Sequence, residues 1–354
     1  MRQRIHIAKA GDGVSLAWTR SGAGPTLVKA SNWLTHLRHD PESPVWRHWT
    51  EFLSRHFDFV RYDERGCGLS ERQPQDVSER NWLGDLEAVV EAARIERPHV
   101  LLGISQGGAA CVRYAVAHPE RVSHLVLYGG YARGGLLRDG RGAEHYRALV
   151  EMVRLGWGSQ NPVFRQVFTQ RFVPQGSHEQ LDWFNELCRQ TCAPEMAVRL
   201  LQERGLTDIV ELLPQVRVPT LVVHAREDEV VAFTEGQRLA AAIPGAEFVE
   251  LDSRNHVLLA QEPAWEDFQR AVREFTGVAR AESRPSDASP LTPRERRVLE
   301  LLRSGKTNAE IAAQVFLSEK TVRNHLSSVY RKLGVSSRAQ AIVKAGALDE
   351  AGTG

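Results

Sequence analysis

The chain is short of cysteine and of long apolar runs, and it carries almost no net charge. Its thiols are Cys67, Cys111, Cys188 and Cys192, too few and too irregularly spaced for a disulfide framework in 354 residues. Cys188 and Cys192 stand one helical turn apart without nearby histidines, so zinc spacing is missing too and no metal is expected. No apolar stretch approaches the roughly 18 to 20 residues that a membrane span needs. The start, Met1 to His6, runs directly into strand-like alternation without an apolar leader, and a cytoplasmic protein is expected. There is no glycine-rich nucleotide loop, so no cofactor is expected either.

The net charge of +1 hides an uneven distribution. Residues 290–354 carry 11 Lys and Arg against 6 Asp and Glu, while the rest of the chain carries 34 against 38. A basic end on an acidic body is the electrostatic pattern of a nucleic-acid contact, although a solvated basic face produces it as often. The length suits one large domain plus a small one.

From Ile5 to about Val278, short β-branched runs alternate with helical patterns, which predicts an α/β domain with a mostly parallel sheet. The expected strands are Val14 to Arg20, Thr26 to Ala30, Phe57 to Tyr62, His99 to Ile104, His124 to Tyr128, Thr220 to His224 and Glu247 to Leu251. Between the fifth and sixth lies an insertion, about 133–215, with helical signals at 142–155, 178–191 and 194–203. An all-helical insertion over strand ends predicts a cap on a pocket. Its aromatics, Trp157, Phe164, Phe168, Trp183 and Phe184, are expected first as cap core, with a minority lining the pocket. Residues 279–290 (ARAESRPSDASP) have a linker's composition, so the expected division is 1–278, a linker at 279–290, and 291–354. The last segment shows three capping boxes, at Thr292 to Glu295, Thr307 to Glu310 and Ser337 to Gln340, and predicts four short helices.

Gly103-Ile104-Ser105-Gln106-Gly107 follows an apolar run and opens a helix, as a nucleophile turn requires. Such a match alone is expected by chance roughly 0.1 times in a chain of this composition, so the context carries the weight. The turn leaves the Ser105 hydroxyl at a helix N-terminus, where the dipole favours developing negative charge. Asp228 follows one later strand and His256 the next, in the chain order serine, acid, histidine. Glu227 and Glu229 are alternative acids, and Asp252 could orient His256 only at close range. His224 and His118 read as structural.

Together with Tyr62 to Ser70 (YDERGCGLS) and His118 to Val122 (HPERV), these features resemble the α/β-hydrolase superfamily over residues 1 to about 278. The resemblance implies Ser105 as nucleophile, His256 as general base and Asp228 as its orienter. Where family members commonly place His-Gly after the third strand, this chain has Lys29-Ala-Ser31-Asn32-Trp33-Leu34-Thr35-His36. The backbone amides of Trp33 and Gln106 are then the expected oxyanion donors.

Leu291 to Val335 resembles the helix-turn-helix module of LuxR-type regulators, matching at Glu295, Val298, Leu299, Gly305, Asn308, Ile311, Ala312, Leu317, Ser318, Thr321, Val322, His325, Lys332 and Leu333, and beyond at Arg338 and Ala341. Ser318 caps a helix ending near Leu333, whose stripe Val322, Leu326, Val329 and Leu333 faces inward. The resemblance puts the opposite face in the major groove, with Arg323, Asn324 and Ser327 as base readers. Thr307, Asn308, Lys320, Thr321, Arg331 and Lys332 are the expected phosphate contacts. A final helix near Ser337 to Ala347 implies a homodimer on a two-fold operator, with RNA polymerase as a further candidate partner.

The expected function is that of a transcriptional regulator whose hydrolase-like domain senses a small, mostly apolar carbonyl compound such as an ester or lactone. The alternative is an active serine esterase or lactonase whose DNA-binding module localises it or regulates its own expression.

Overall fold

The structure, a computed structural model, describes residues 3–278, 293–315 and 319–333, together with 335, 338, 340–342 and 344. The chain divides into two compact units, Met1–Arg280 and Ala281–Gly354.

The first unit is built on eight strands: β1 (His6–Lys9), β2 (Ser15–Gly22), β3 (Thr26–Lys29), β4 (Asp58–Tyr62), β5 (His99–Ile104), β6 (Val122–Tyr128), β7 (Thr220–Ala225) and β8 (Glu247–Leu251). They lie in the order β1-β2-β4-β3-β5-β6-β7-β8, with β2 antiparallel to both its neighbours, β1 and β4, and every other pair parallel. All seven expected strands are present. The eighth, β1, buries only Ala8 of its four residues, too thin an apolar signal to mark a strand.

Central strands β5 and β7 are buried along their whole length, because helices cover both faces. Successive side chains go to opposite sides. Val100, Leu102 and Ile104 join one core with α1 (Arg47–His56) and α9 (Pro263–Thr276), while Leu101 joins the other with α2 (Arg80–Ala92) and α3 (Gly107–Ala117). Trp49 of α1 meets Trp265 and Phe268 of α9 at centroid separations of 4.7 Å each. Helix α8 (Phe233–Ala242) adds Leu239 to the second core.

Between β6 and β7 stand four helices, α4 (Arg141–Gly156), α5 (Val163–Phe172), α6 (His178–Thr191) and α7 (Pro194–Gly205). Helix α5 escaped the sequence reading because its apolar residues are divided: Phe168 is buried, while Val163 and Val167 are about half exposed, at 51% and 50%. A capping box starts α6, with Ser177 N donating to Gln180 Oε1 at 2.9 Å and Gln180 N to Ser177 Oγ at 3.2 Å. An isolated antiparallel bridge between Arg133 and Asp208 closes the base of the insertion.

The second unit contains α10 (Pro293–Arg303), α11 (Asn308–Val315) and α12 (Glu319–Leu333). Val298, Leu302, Ile311, Val322 and Val329 form its core, each fully buried. At the start of α11 the Thr307 box is in place: Thr307 N donates to Glu310 Oε2 at 2.7 Å and Glu310 N to Thr307 Oγ1 at 3.3 Å. Thr292, Ser318 and Ser337 lie outside the described residues. Of the expected fourth helix only 338, 340–342 and 344 are described, and these are helical.

Among the described residues no helix is long and apolar enough to cross a membrane, and no cluster of His, Cys, Asp and Glu could hold a metal ion.

Candidate active site and DNA-binding helix

Strand β5 ends at Ile104 and α3 begins at Gly107, so Ser105 and Gln106 make the whole turn. Ser105 has φ 53°, the left-handed region that disfavours a side chain by roughly 1–2 kcal/mol. Its neighbours have no room for a Cβ. One on Gly103 would sit 2.6 Å from Gly108 Cα, and one on Gly107 2.8 Å from the Ser31 carbonyl oxygen. Ser105 N donates to the Tyr128 carbonyl at 2.9 Å, which ties the strained residue to β6.

Asp228 sits in the turn after β7. Its Oδ1 accepts from Val230 N at 2.8 Å and Val231 N at 2.9 Å, which fixes the carboxylate and points Oδ2 at His256 Nδ1, 2.6 Å away. His256, in the loop after β8, is 1% exposed. Phe172 of α5 packs edge-on against its ring at 5.3 Å. Gly129, at φ 58°, leaves space beside it, since a Cβ there would lie 3.0 Å from His256 Cε1. Among the described residues, His256 Nε2 has no hydrogen-bond partner. With Nδ1–H held by a carboxylate, Nε2 is the nitrogen left to accept a proton.

Ser105, Asp228 and His256 all line one cavity of about 520 Å³. The same wall includes Trp33 and Gln106, whose amides donate to no described backbone group. The Trp33 ring stacks on Trp157 at 5.0 Å and meets Phe168 edge-on at 5.3 Å. Asn32 is buried, donates Nδ2 to the Trp33 carbonyl at 3.2 Å, and accepts from Lys29 Nζ. Burial pushes the Lys29 ammonium down to about 8, with the Asp40 charge opposing. A buried lysine therefore braces the donor loop where glycine would be usual. Sequence reading missed it, since a lysine ending a strand normally reaches water.

The alternative acids are engaged away from His256, although Glu229 also lines the cavity. Glu227 and Glu229 pair with Arg254 at 3.5 Å and 2.9 Å on the surface, and Asp252 is exposed. His224, by contrast, comes within 3.7 Å of Asp228 Oδ2 while its Nε2 lies 2.9 Å from the Val231 carbonyl. Burial lowers its basicity, so it supports the acid's turn as a neutral ring. His118 Nε2 meets Glu87 at 2.7 Å and is not among the residues lining the cavity. Of the cap aromatics singled out in the sequence, Phe168 lines the cavity, while Trp157 and Phe184 are buried in the cap core. Chemically, a serine hydroxyl, a carboxylate-held imidazole and two amides on one apolar cavity can stabilise a tetrahedral oxyanion and move its proton.

A family model for serine aminopeptidases (S33) matches residues 47–263, more than half of the chain. The chain belongs to that family of α/β hydrolases. Residues 289–345 match the model of the luxR family of bacterial regulatory proteins, so this hydrolase-family chain also carries a LuxR-type DNA-binding domain. The pyrrolizixenacetamide deacetylase of Xenorhabdus hominickii is 24% identical over 77% of this chain and 97% of that protein. The spore germination protein GerE of Bacillus subtilis is 59% identical over 54 residues, 15% of this chain and 73% of that protein. In fold, the esterase RhEst1 from Rhodococcus sp. ECU1013 superposes with a TM-score of 0.65 at 24% identity, covering 77% of this chain and 98% of the esterase.

In the LuxR-type domain, Thr307 caps α11 and Asn308 begins it. Thr321 lies in the first turns of α12, half-buried. For Lys320, Arg323, Asn324, Ser327, Arg331 and Lys332 only the helical backbone is described. Their side chains, and Ser318 entirely, lie outside the described residues. Val322, Leu326 and Val329 are buried.

Proposed function

We propose that this chain is a transcriptional regulator whose hydrolase-fold domain receives a small carbonyl compound, an ester or lactone, and changes the DNA affinity of the LuxR-type domain. The observation that carries this is the His256–Asp228 pair, with Nε2 unengaged, on the same cavity as Ser105, in a chain that also holds a DNA-binding domain. The ligand carbonyl meets Ser105, its oxygen takes the Trp33 and Gln106 amides, and its apolar body lies under α4 and α5. Arg323, Asn324 and Ser327 read bases, Thr307, Asn308, Lys320, Thr321, Arg331 and Lys332 hold phosphates, and Ser318, the cap of the same helix, completes the DNA-binding set. Two copies bind a two-fold operator as a homodimer, and RNA polymerase is the partner that an activator of this kind would meet.

Footprinting of the purified protein on DNA upstream of its own gene, with and without candidate esters and lactones, tests the reading. A ligand-dependent change in protection is expected; saturating ligand that leaves DNA binding untouched would refute it.

The second reading is an active esterase or lactonase with a DNA-binding module, favoured by the ordered Asp228–His256 geometry. Ser105→Ala separates the two. Regulation that survives loss of turnover marks a receptor, and regulation that disappears with turnover marks an enzyme acting on its own signal.

A further inference from the structure

The cavity carries more positive charge than acyl transfer needs. Arg138, Arg171 and Arg204 reach it from three elements, with Asp228 and Glu229 as the acidic residues on the same wall. Asp228 is engaged by His256 and two amides, and Glu229 Oε1 by Arg254 at 2.9 Å. Arg171 donates Nη2 to the Glu229 carbonyl oxygen at 2.6 Å, and Arg138 donates Nε to the Arg133 carbonyl oxygen at 3.2 Å; both are partly exposed. His145 also faces the cavity, from its exposed rim.

Arg204 is different. In the last turn of α7, it is 3% exposed. Its guanidinium lies 4.6 Å from the centre of the Trp33 ring, and Nη2 donates to the buried Glu64. Its Nε and Nη1 are shielded from solvent and have no hydrogen-bond partner among the described residues. Glu64 neutralises the charge but leaves Nε and Nη1 unmade, a standing cost; both are closed off from the cavity as well as from bulk solvent, so an acceptor there meets them once the guanidinium turns outward from the wall that Arg204 lines. Arginine is suited to a planar oxyacid, because its delocalised charge is weakly hydrated and its N–H groups are fixed in one plane.

We propose that Arg204, supported by the positive potential of Arg171 and Arg138, forms a carboxylate subsite in the Ser105 cavity. The ligand class is then an acid or half-ester, with a carboxylate on the Trp33 side in addition to the carbonyl that meets Ser105. This rests on the cavity being the ligand site of the proposed function.

The test uses the full chain carrying Ser105→Ala, titrated calorimetrically with 4-phenylbutyrate and with 4-phenylbutyramide, a pair of one shape and different charge. The acid is expected to bind at least about tenfold tighter. In the Glu64→Gln/Arg204→Gln double variant, which removes both buried charges together, that advantage is expected to vanish while amide binding stays within about twofold. Where the double variant is not folded by circular dichroism, Arg204→Lys, which keeps the charge and loses the planar fork, is expected to cut the advantage several-fold. Equal affinity of acid and amide, no binding of either at millimolar concentration, or a preference that persists in the variants would overturn the subsite. Fluorophosphonate labelling of Ser105 in the unaltered chain is scored separately. Labelling without acid preference sinks the subsite and leaves the hydrolase-like site standing; acid preference without labelling does the reverse.

Discussion

At the scale of single residues, the site depends on positions where one atom more would not fit. Gly129→Ala adds a methyl 3.0 Å from His256 Cε1 at a φ of 58°. The expected outcome is a loss of roughly 1–2 kcal/mol from the strained backbone, with the rate of Ser105 labelling falling about tenfold as the imidazole is displaced. Thermal melting and labelling kinetics, measured together, check this; an unchanged labelling rate would show that His256 is not needed for the serine's reactivity. Asp228→Asn keeps the turn's acceptor at Val230 and Val231 but frees the imidazole to take the other tautomer. Labelling is expected to slow by about 10³- to 10⁴-fold with little change in stability. The motif around Ser105 was legible in sequence because its glycines are forced by contacts one or two residues away. Lys29 and Arg204 were not, because their burial comes from segments distant in the chain.

At the scale of elements, the cap and the donor loop are coupled through aromatic contact. Trp157 of the cap stacks on Trp33 and donates Nε1 to the Cys192 carbonyl at 3.1 Å, so one side chain joins α4, the end of α6 and the loop after β3. Trp157→Ala is expected to cost about 3–5 kcal/mol. Hydrogen exchange should speed up first in α4, α5 and residues 31–35, ahead of the central strands. Uniform acceleration across the sheet instead would mean that the cap and core unfold as one unit. Seven strands and three cap helices could be read from β-branched runs and helical periodicity, even though β5 and β7 are buried on both faces and β8 buries only Leu251. Helix α5 could not, since Val163 and Val167 are half exposed, and β1 showed only as alternation after His6 without a marked run, since it buries Ala8 alone.

At the scale of the whole molecule, buried histidines set the acid limit of the hydrolase-fold unit. Burial holds His36, His48 and His99 down at about 4 each, below the ordinary value of 6.5. Between those values the unfolded chain binds protons that the native chain refuses. This contribution is therefore complete above about 6.5 and is lost as pH falls toward about 4; Asp63, which burial pushes up to about 7, opposes it in the same window but is one group against three. Urea midpoints measured across this window are expected to drop on acidification, and His99→Asn should flatten the slope. A midpoint independent of pH there would remove this account. For the LuxR-type domain, Lys320→Ala is expected to weaken all DNA sequences alike and lower the salt slope by about 1, whereas Arg323→Ala should relax preference at one base pair. Footprint titrations at several salt concentrations distinguish the two.

Local spacing was enough for the two-part plan, the sheet, the serine turn and helix α12: short β-branched runs, period 3.6, and glycines flanking a strained residue. The tertiary structure settled that Asp228 Oδ2 meets His256 Nδ1 at 2.6 Å, that Trp33 stacks on Trp157, and that Arg204, with two buried nitrogens lacking a partner among the described residues, lines the same cavity as Ser105. Those contacts join segments 28, 124 and 99 residues apart, and a one-dimensional pattern holds no information on which distant side chains a packed core will leave without water or a partner.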